Sequence, residues 1–564
     1  MLRPRLLLLA TLAIPQLAFA QSPSAPADTP PPVFEVLGAL PQDTDGTLNI
    51  EAVFLIKDLH RLSEISDTVR KRFERFAVAK EYFSSEHQKN VLGFDMYTEL
   101  PRLAELSTPS GKPSSAALAV YSNKGQFGVQ FILRAEAGFL DRVKKAMASP
   151  NPPPWTATID GSSITIPIMD GFNLVGQVDE SGWLRLAPDA SMLIGAQGGT
   201  APTLYSDKMA PYVERNDMVL LLRPGLGTEM LGGFMADPMA MGVVQTLKGV
   251  GIGIEYDGDK SQGVSLILES SMLQQYGPLA RKADLQNWFV PMLDSHATSV
   301  FSISLPPALV GIGSEIARTT PLGEIPGGDG FANLLGQIDG RLGFMTFDSP
   351  GDWALAMRFN TAEAAAAFAP ALQKLIDGGL KALGVEEQDF AILEEFAGAN
   401  ALHFKPDALL DGWRVVAIDA NVVMVPKTGR FDRLMALKNA PADQKKKAEV
   451  TSFVAGPLTP MVKRTVEQPA IALGYTLMAG DGAIFDYLIV PSKAISMGVD
   501  AMLKGIGDAD PAAQGIAQLS TLGLKRLPLT FAVGMVGWLM TYDLALAIDV
   551  RGDILLFEIT SSTI

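Results

Sequence analysis

Residues 181–199 read SGWLRLAPDASMLIGAQGG, and residues 411–429 read DGWRVVAIDANVVMVPKTG. The two stretches align without a gap at an offset of 230. Gly182 meets Gly412, Trp183 meets Trp413, and Ala187, Asp189 and Ala190 meet Ala417, Asp419 and Ala420. Apolar positions match between the identities, with Met192, Leu193 and Ile194 facing Val422, Val423 and Met424. The chain holds only six tryptophans, so a tryptophan paired inside such a block points to a tandem duplication. A repeat, once found, lets one unit's architecture describe both.

The flanks follow in the same order. Ala52 to Asp58 and Thr298 to Pro306 each read as a strand leading into a helix start. Ala116 to Tyr121 and Phe127 to Leu133 read as two strands before a helix at Glu136 to Met147. Gly343 to Phe347 and Trp353 to Phe359 read as two strands before a helix at Ala362 to Ile376, where Pro370 predicts a kink or break near Ala369. Val219 to Leu222 and Ile471 to Leu477 come next, and Val264 to Glu269 and Ile554 to Ile559 close the two copies. Short apolar runs of strand length, separated by turns such as Asp257-Gly258 and Arg551-Gly552, imply antiparallel pairing. The expected class is α+β: two related domains, 45–290 and 291–564, of mainly antiparallel sheet covered by helices. Trp183 and Trp413 are expected to anchor the core.

The first residues carry a different message. Arg3 and Arg5 precede an apolar run from Leu6 to Ile14, and Ala18 and Ala20 supply small residues for cleavage. This is the layout of a secretory signal peptide over residues 1–20, with an apolar core too short to span a bilayer. Residues 21–44, with Pro23, Pro26, Pro30, Pro31 and Pro32, read as a Pro-rich flexible linker. The expected location is the periplasm or the extracellular medium.

The formal net charge is −15, and −17 without the first twenty residues. Such a surface disfavours nucleic acid, whose phosphates need Lys and Arg. Hydrophobic residues make up 48% of the chain, enough for large cores. There is no cysteine, which removes thiol chemistry and cysteine-ligated metals. Leu527 to Tyr542 is nearly all apolar, yet it is short and interrupted by Pro528, Gly534 and Gly537, so no membrane span is expected.

Chemical motifs are sparse. His60, His87, His296 and His403 show no two-ligand spacing, and there is no HExxH. Ser163 and Ser496 sit in incomplete versions of a nucleophile elbow. Asp43 and Asp45 resemble a calcium loop, but Phe54 stands where its closing glutamate belongs. Asp257/Asp259 and Asp508/Asp510 read as solvated turns. No residue is assigned as catalytic, and neither a cofactor nor a metal is expected. Lys445, Lys446 and Lys447 make a basic spot suited to an anionic partner. Met230, Met235, Met239 and Met241 offer a flexible apolar lining beside Gly232 and Gly233.

The doubled strands before a helix and the Gly-Trp-x-x-x-Ala-x-Asp-Ala block resemble large exported bacterial proteins of an uncharacterised family with duplicated α+β domains. The resemblance implies location and architecture alone. The expected function is that of an exported, envelope-associated or secreted binding or structural protein. Its partner would be a hydrophobic small molecule or an envelope protein. The alternatives are a hydrolase with an unmarked carboxylate site and a carrier of a hydrophobic ligand.

Overall fold

The computed structural model describes residues 34–42, 48–64, 96–123, 126–169, 172–195, 204–225, 245–257, 261–275, 297–305, 307–319, 324–347, 352–382, 391–396, 399–405, 412–426, 428–439, 459–468, 470–477 and 541–563. The fold is mixed α+β, with extensive antiparallel sheet and surrounding helices. The described residues fall into two compact units. The first runs to Ser271 and takes in Thr541, Tyr542 and the last residues from Ser561. The second comprises Met272 to Leu477 and Asp543 to Thr560.

The first unit contains β1 (Leu48–Ile56), β2 (Ala116–Asn123), β3 (Gln126–Arg134), β4 (Thr158–Asp160), β5 (Ser163–Met169), β6 (Phe172–Val178), β7 (Trp183–Ala187), β8 (Met218–Leu222), β9 (Leu247–Asp257) and β10 (Ser261–Ser270). Pairing places them in the spatial order 4-5-6-7-3-2-1-8-9-10, antiparallel throughout. Helices α1 (Met96–Ser107) and α2 (Phe139–Met147) accompany it. The amphipathic helix α2 buries Phe139 and Val143 and turns Lys144 and Lys145 away, as its 3.6-residue period requires.

The second unit contains α3 (Pro307–Thr319), α4 (Gly328–Leu335), α5 (Ala362–Ala382), α6 (Thr428–Asn439) and α7 (Pro460–Glu467). Its strands are β11 (Ala297–Ser304), β12 (Ile338–Phe347), β13 (Trp353–Phe359), β14 (Ala391–Phe396), β15 (Ala399–Phe404), β16 (Arg414–Ile418), β17 (Asn421–Val425), β18 (Ala472–Leu477), β19 (Thr541–Arg551) and β20 (Ile554–Thr563). Their spatial order is 14-15-16-17-13-12-11-18-19-20. Subtracting ten from each number returns the order of the first unit.

The register repeats as well. In the first sheet one row runs Leu184–Leu133–Ala116–Ile56–Met218–Ile254. In the second it runs Val422–Met357–Leu342–Ile303–Ala472–Ile548. Backbone bonds just past the strand ends match too. Lys57 N donates to Asp217 O and Asp217 N to Ile254 O. Ser304 N donates to Ile471 O and Ile471 N to Ile548 O.

The ungapped alignment of 181–199 with 411–429 does not survive in the fold. Trp183 opens β7, which lies between β3 and β6, whereas Trp413 precedes β16, which lies between β15 and β17. The strand in the place of β7 is β17. What the two stretches share is local: Gly182 and Gly412 both have positive φ, 79° and 73°, and each starts a strand behind a tryptophan. The Asp-Ala pair then diverges. Asp189 caps a short 3-10 turn by accepting from Ser191 N, whereas Asp419 and Ala420 form the two-residue turn between β16 and β17. Trp183 is buried, with the Arg134 guanidinium 5.0 Å over its ring. Trp413 is half-buried and meets Trp353 edge-on at 4.7 Å.

Helix α5 continues through Pro370 without a break. It buries Ala364, Ala365, Phe368, Ala369 and Leu375 against a core containing Phe359, Leu402, Val415 and Val422. That apolar contact outweighs the one backbone bond proline removes. On the other sheet face, α6 and α7 bury Phe431, Leu434, Met435, Val462 and Val466 against Met345, Ala354, Ala356 and Val423.

Candidate functional site

Within the first unit a cluster of charges gathers past the end of β1. The apolar run Ala52–Ile56 carries the chain into the sheet centre, and Lys57 follows at once. Asp217 precedes the all-buried strand β8, and Glu255 and Tyr256 lie near the end of β9. Because β1, β8 and β9 are neighbours, these residues converge.

Asp217 accepts from Tyr256 N at 2.8 Å on Oδ2, and its Oδ1 lies 3.1 Å from Arg61 Nε. Arg61 also donates through Nη2 to Tyr256 O at 2.8 Å. Lys57 Nζ donates to the Glu214 carbonyl and lies 5.3 Å over the Phe34 ring. Glu214 accepts from the Tyr205 hydroxyl at 3.2 Å, and Arg215 reaches Glu255 at 3.8 Å. Burial pushes the Asp217 carboxyl up to about 6, against the opposing pull of Arg61, the Tyr256 N–H and Lys57. Desolvation likewise lowers the Lys57 ammonium, partly offset by Asp217.

A proton can therefore be held or released near neutral pH at Asp217. Both of its oxygens are already engaged, and the Lys57 amine is tied to a backbone carbonyl. The cluster has the means for acid–base chemistry, but its polar groups face one another.

A second feature lies on the sheet of the second unit. The row Met424–Leu355–Phe344–Phe301–Gly474–Leu546 is apolar from β17 to β19. Phe301 and Phe344 are each 39% exposed, and Leu355, Met424 and Leu546 are half-buried. Trp353 stands 6.0 Å from Phe344, ring to ring. A row in the first unit, Leu186–Phe131–Leu118–Phe54–Leu220–Ile252, is equally apolar but more closed. Phe54, Leu186 and Leu220 there are all buried.

Of the residues singled out from the sequence, His60 donates its backbone N–H to Asp58, and its Nε2 lies 2.9 Å from the Thr108 hydroxyl. His403 lies 3.7 Å from Glu394 on the β14–β15 hairpin. The two are in different units. His87, His296, Asp43, Asp45, Asp259, Asp508, Asp510, Ser496, Lys445 to Lys447 and the Met230 to Met241 segment lie outside the described residues, as does Leu527 to Met540. Ser163 opens β5. Among the described residues no group of three His, Asp or Glu side chains is placed to hold a metal, and no helix is long and apolar enough to cross a membrane.

Lys57, Arg61 and Asp217 were not singled out from the sequence, because Asp217 lies far along it from the other two. Outside this cluster, Arg185 interrupts WLRLA, a strand buried at every position, and pairs with Asp179 at 3.1 Å. A charge inside such a run requires buried partners. Compared with protein-family models, curated proteins and solved structures, the chain matches none.

Proposed function

We propose that this is an exported binding protein, periplasmic or secreted, built from two copies of one ten-strand unit, and that its second copy holds a hydrophobic small molecule on an open sheet face. Duplication is supported by the repeated strand order, the repeated register row and the matching bonds past the strand ends. Two unrelated sheets have no reason to share all three. Sequence identity between the copies has been lost while the pairing pattern persists.

The observation that carries the binding reading is the exposed pair Phe301 and Phe344 in an otherwise apolar row. A contiguous apolar patch left open to water marks an interaction surface. Five strands, β13 to β19 through β12, β11 and β18, make a stripe about 19 Å wide at the usual ~4.8 Å strand spacing. Gly474 opposite Phe301 keeps the stripe low at its middle, since a Cβ there would come within 3.3 Å of the Phe301 ring. An extended acyl or prenyl chain matches such a stripe. The hydrolase alternative would draw on Asp217, but both carboxylate oxygens are occupied by Arg61 and Tyr256.

The test is titration of the full chain with a dansyl-labelled fatty acid, read by energy transfer from tryptophan. Saturable binding is expected, weakened about tenfold or more by Phe301→Asp with Phe344→Asp, because burial of aromatic surface is lost and charge is added. No binding by the wild type, or equal binding by the double variant, would overturn the reading.

A further inference from the structure

The apolar sheet face of the second unit has a chemically distinct border. Ser299 on β11 pairs with Thr346 on β12 and with Thr476 on β18, and the same row ends in Trp353 on β13 and Leu544 on β19. Side chains two residues apart on a strand share a face, so the three hydroxyls lie on the face of Phe344, Phe301 and Gly474, about 7 Å along the strands. On the other side of those residues runs a further row, Met357–Leu342–Ile303–Ala472–Ile548, with no polar side chain. Ser299, Thr346 and Thr476 are half-buried. Two apolar rows are thus edged on one side by hydroxyls.

Antiparallel pairing does not require those hydroxyls. In the first unit the row two residues along from Leu118, Phe54 and Leu220 is Val120, Ala52 and Leu222, all buried. Charge is also missing from this face of the second sheet. The Lys and Arg side chains of β11 to β13 and β17 to β19 are Arg341, Arg358 and Arg551, and strand alternation puts them on the other face. There Asp339 holds Arg341 at 2.6 Å and Arg358 at 3.4 Å, and Asp549 holds Arg551 at 2.8 Å. None of these strands offers a cation to the head of a ligand lying on the apolar rows.

The hydroxyls themselves narrow the chemistry. Ser299 and Thr476 hydrogen-bond to one another. A hydroxyl has one proton and two lone pairs, so their mutual bond leaves the pair richer in acceptor positions than in donors. A carboxylate head only accepts, and here it would meet oxygen lone pairs with no cation beside them. An uncharged head that donates as well as accepts satisfies the border. The net charge of −15 acts in the same direction by repelling anions.

We propose that the ligand of this face is an uncharged, hydroxyl-headed amphiphile of the long-chain alcohol class, with its chain on the two apolar rows and its head on Ser299 and Thr476. The inference rests on the reading of this face as a site for a hydrophobic small molecule, and it adds which head group that molecule carries.

Displacement of the dansyl-labelled fatty acid from the full chain tests the assignment, with decanol and decanoate as competitors at neutral pH. The two share a chain length and differ at the head. Decanol is expected to displace the probe at about tenfold lower concentration, the difference between a satisfied hydroxyl and a desolvated carboxylate. Ser299→Ala with Thr476→Val is expected to weaken decanol about tenfold. Direct titration with the probe should be unchanged in that variant, because its chain still meets Phe301 and Phe344. Thr476→Val alone keeps the shape of the side chain and is expected to weaken decanol by a smaller factor; it decides the matter if the double variant does not fold by circular dichroism. Failure of the wild type to bind the probe would remove the site and this inference with it. Saturable probe binding in which decanoate competes as well as decanol, or in which the folded variants leave decanol unaffected, would overturn the head-group assignment alone.

Discussion

Replacing Asp217 by asparagine gives a direct reading of the charge cluster. The folded carboxyl sits at about 6 against an ordinary value of 3.8, raised first by burial. A raised acid favours the protonated form in the folded state. Its contribution to stability is therefore fully present below about pH 4 and is lost as pH rises through about 6. That difference in pKa corresponds to about 3 kcal/mol at about 1.36 kcal/mol per pH unit. The amide of the variant keeps the shape of the carboxyl and cannot ionise. The stability of Asp217→Asn relative to wild type should thus rise by about 3 kcal/mol from about pH 4 to about pH 7. Urea unfolding of both proteins at matched pH values, followed by tryptophan fluorescence, measures this difference and cancels the titration of other groups. A difference that is flat with pH, or that falls, would refute the argument. The latter would mean that Arg61, 3.1 Å away, and the Tyr256 N–H outweigh desolvation and hold the carboxyl below its ordinary value.

Three further outcomes follow from packing. Phe359→Ala removes a ring that is 1% exposed and lies 5.7 Å from the Phe368 ring, and should cost about 3–5 kcal/mol in urea unfolding. Gly340→Ala places a Cβ against the Leu305 carbonyl at a φ of +96°, so the Tm should fall, with a cost of about 1–3 kcal/mol. Trp413→Phe should change the emission of Trp353, its edge-on neighbour at 4.7 Å, while leaving the fold intact by circular dichroism. An unchanged Trp353 spectrum would argue against that contact.

Local chemistry was legible from the sequence. Val219 to Leu222 and Trp353 to Phe359 are short apolar runs of strand length, and both form strands. Glu136 to Met147 contains helix α2, entered from Gly138 with φ 77°. The mixed α+β class and antiparallel pairing followed from the spacing of such elements. The candidate site was not legible. Lys57, Arg61, Asp217 and Glu255 become neighbours only because β1, β8 and β9 do.

The paired Gly-Trp blocks show where sequence by itself stops. It determined that a left-handed glycine, a tryptophan and a strand occur at both places, because φ and side-chain alternation are properties of a few consecutive residues. Only the tertiary structure decided that Trp183 belongs to β7, between β3 and β6, and Trp413 to the approach to β16, between β15 and β17. Strand order and register are set by hydrogen bonds and packing between segments tens to hundreds of residues apart, and a turn motif recurs wherever a chain must reverse. Leu133 opposite Leu184 and Met357 opposite Val422 share no residue, yet hold the same position. Different side chains can fill the same place in a sheet, because pairing is made by the backbone.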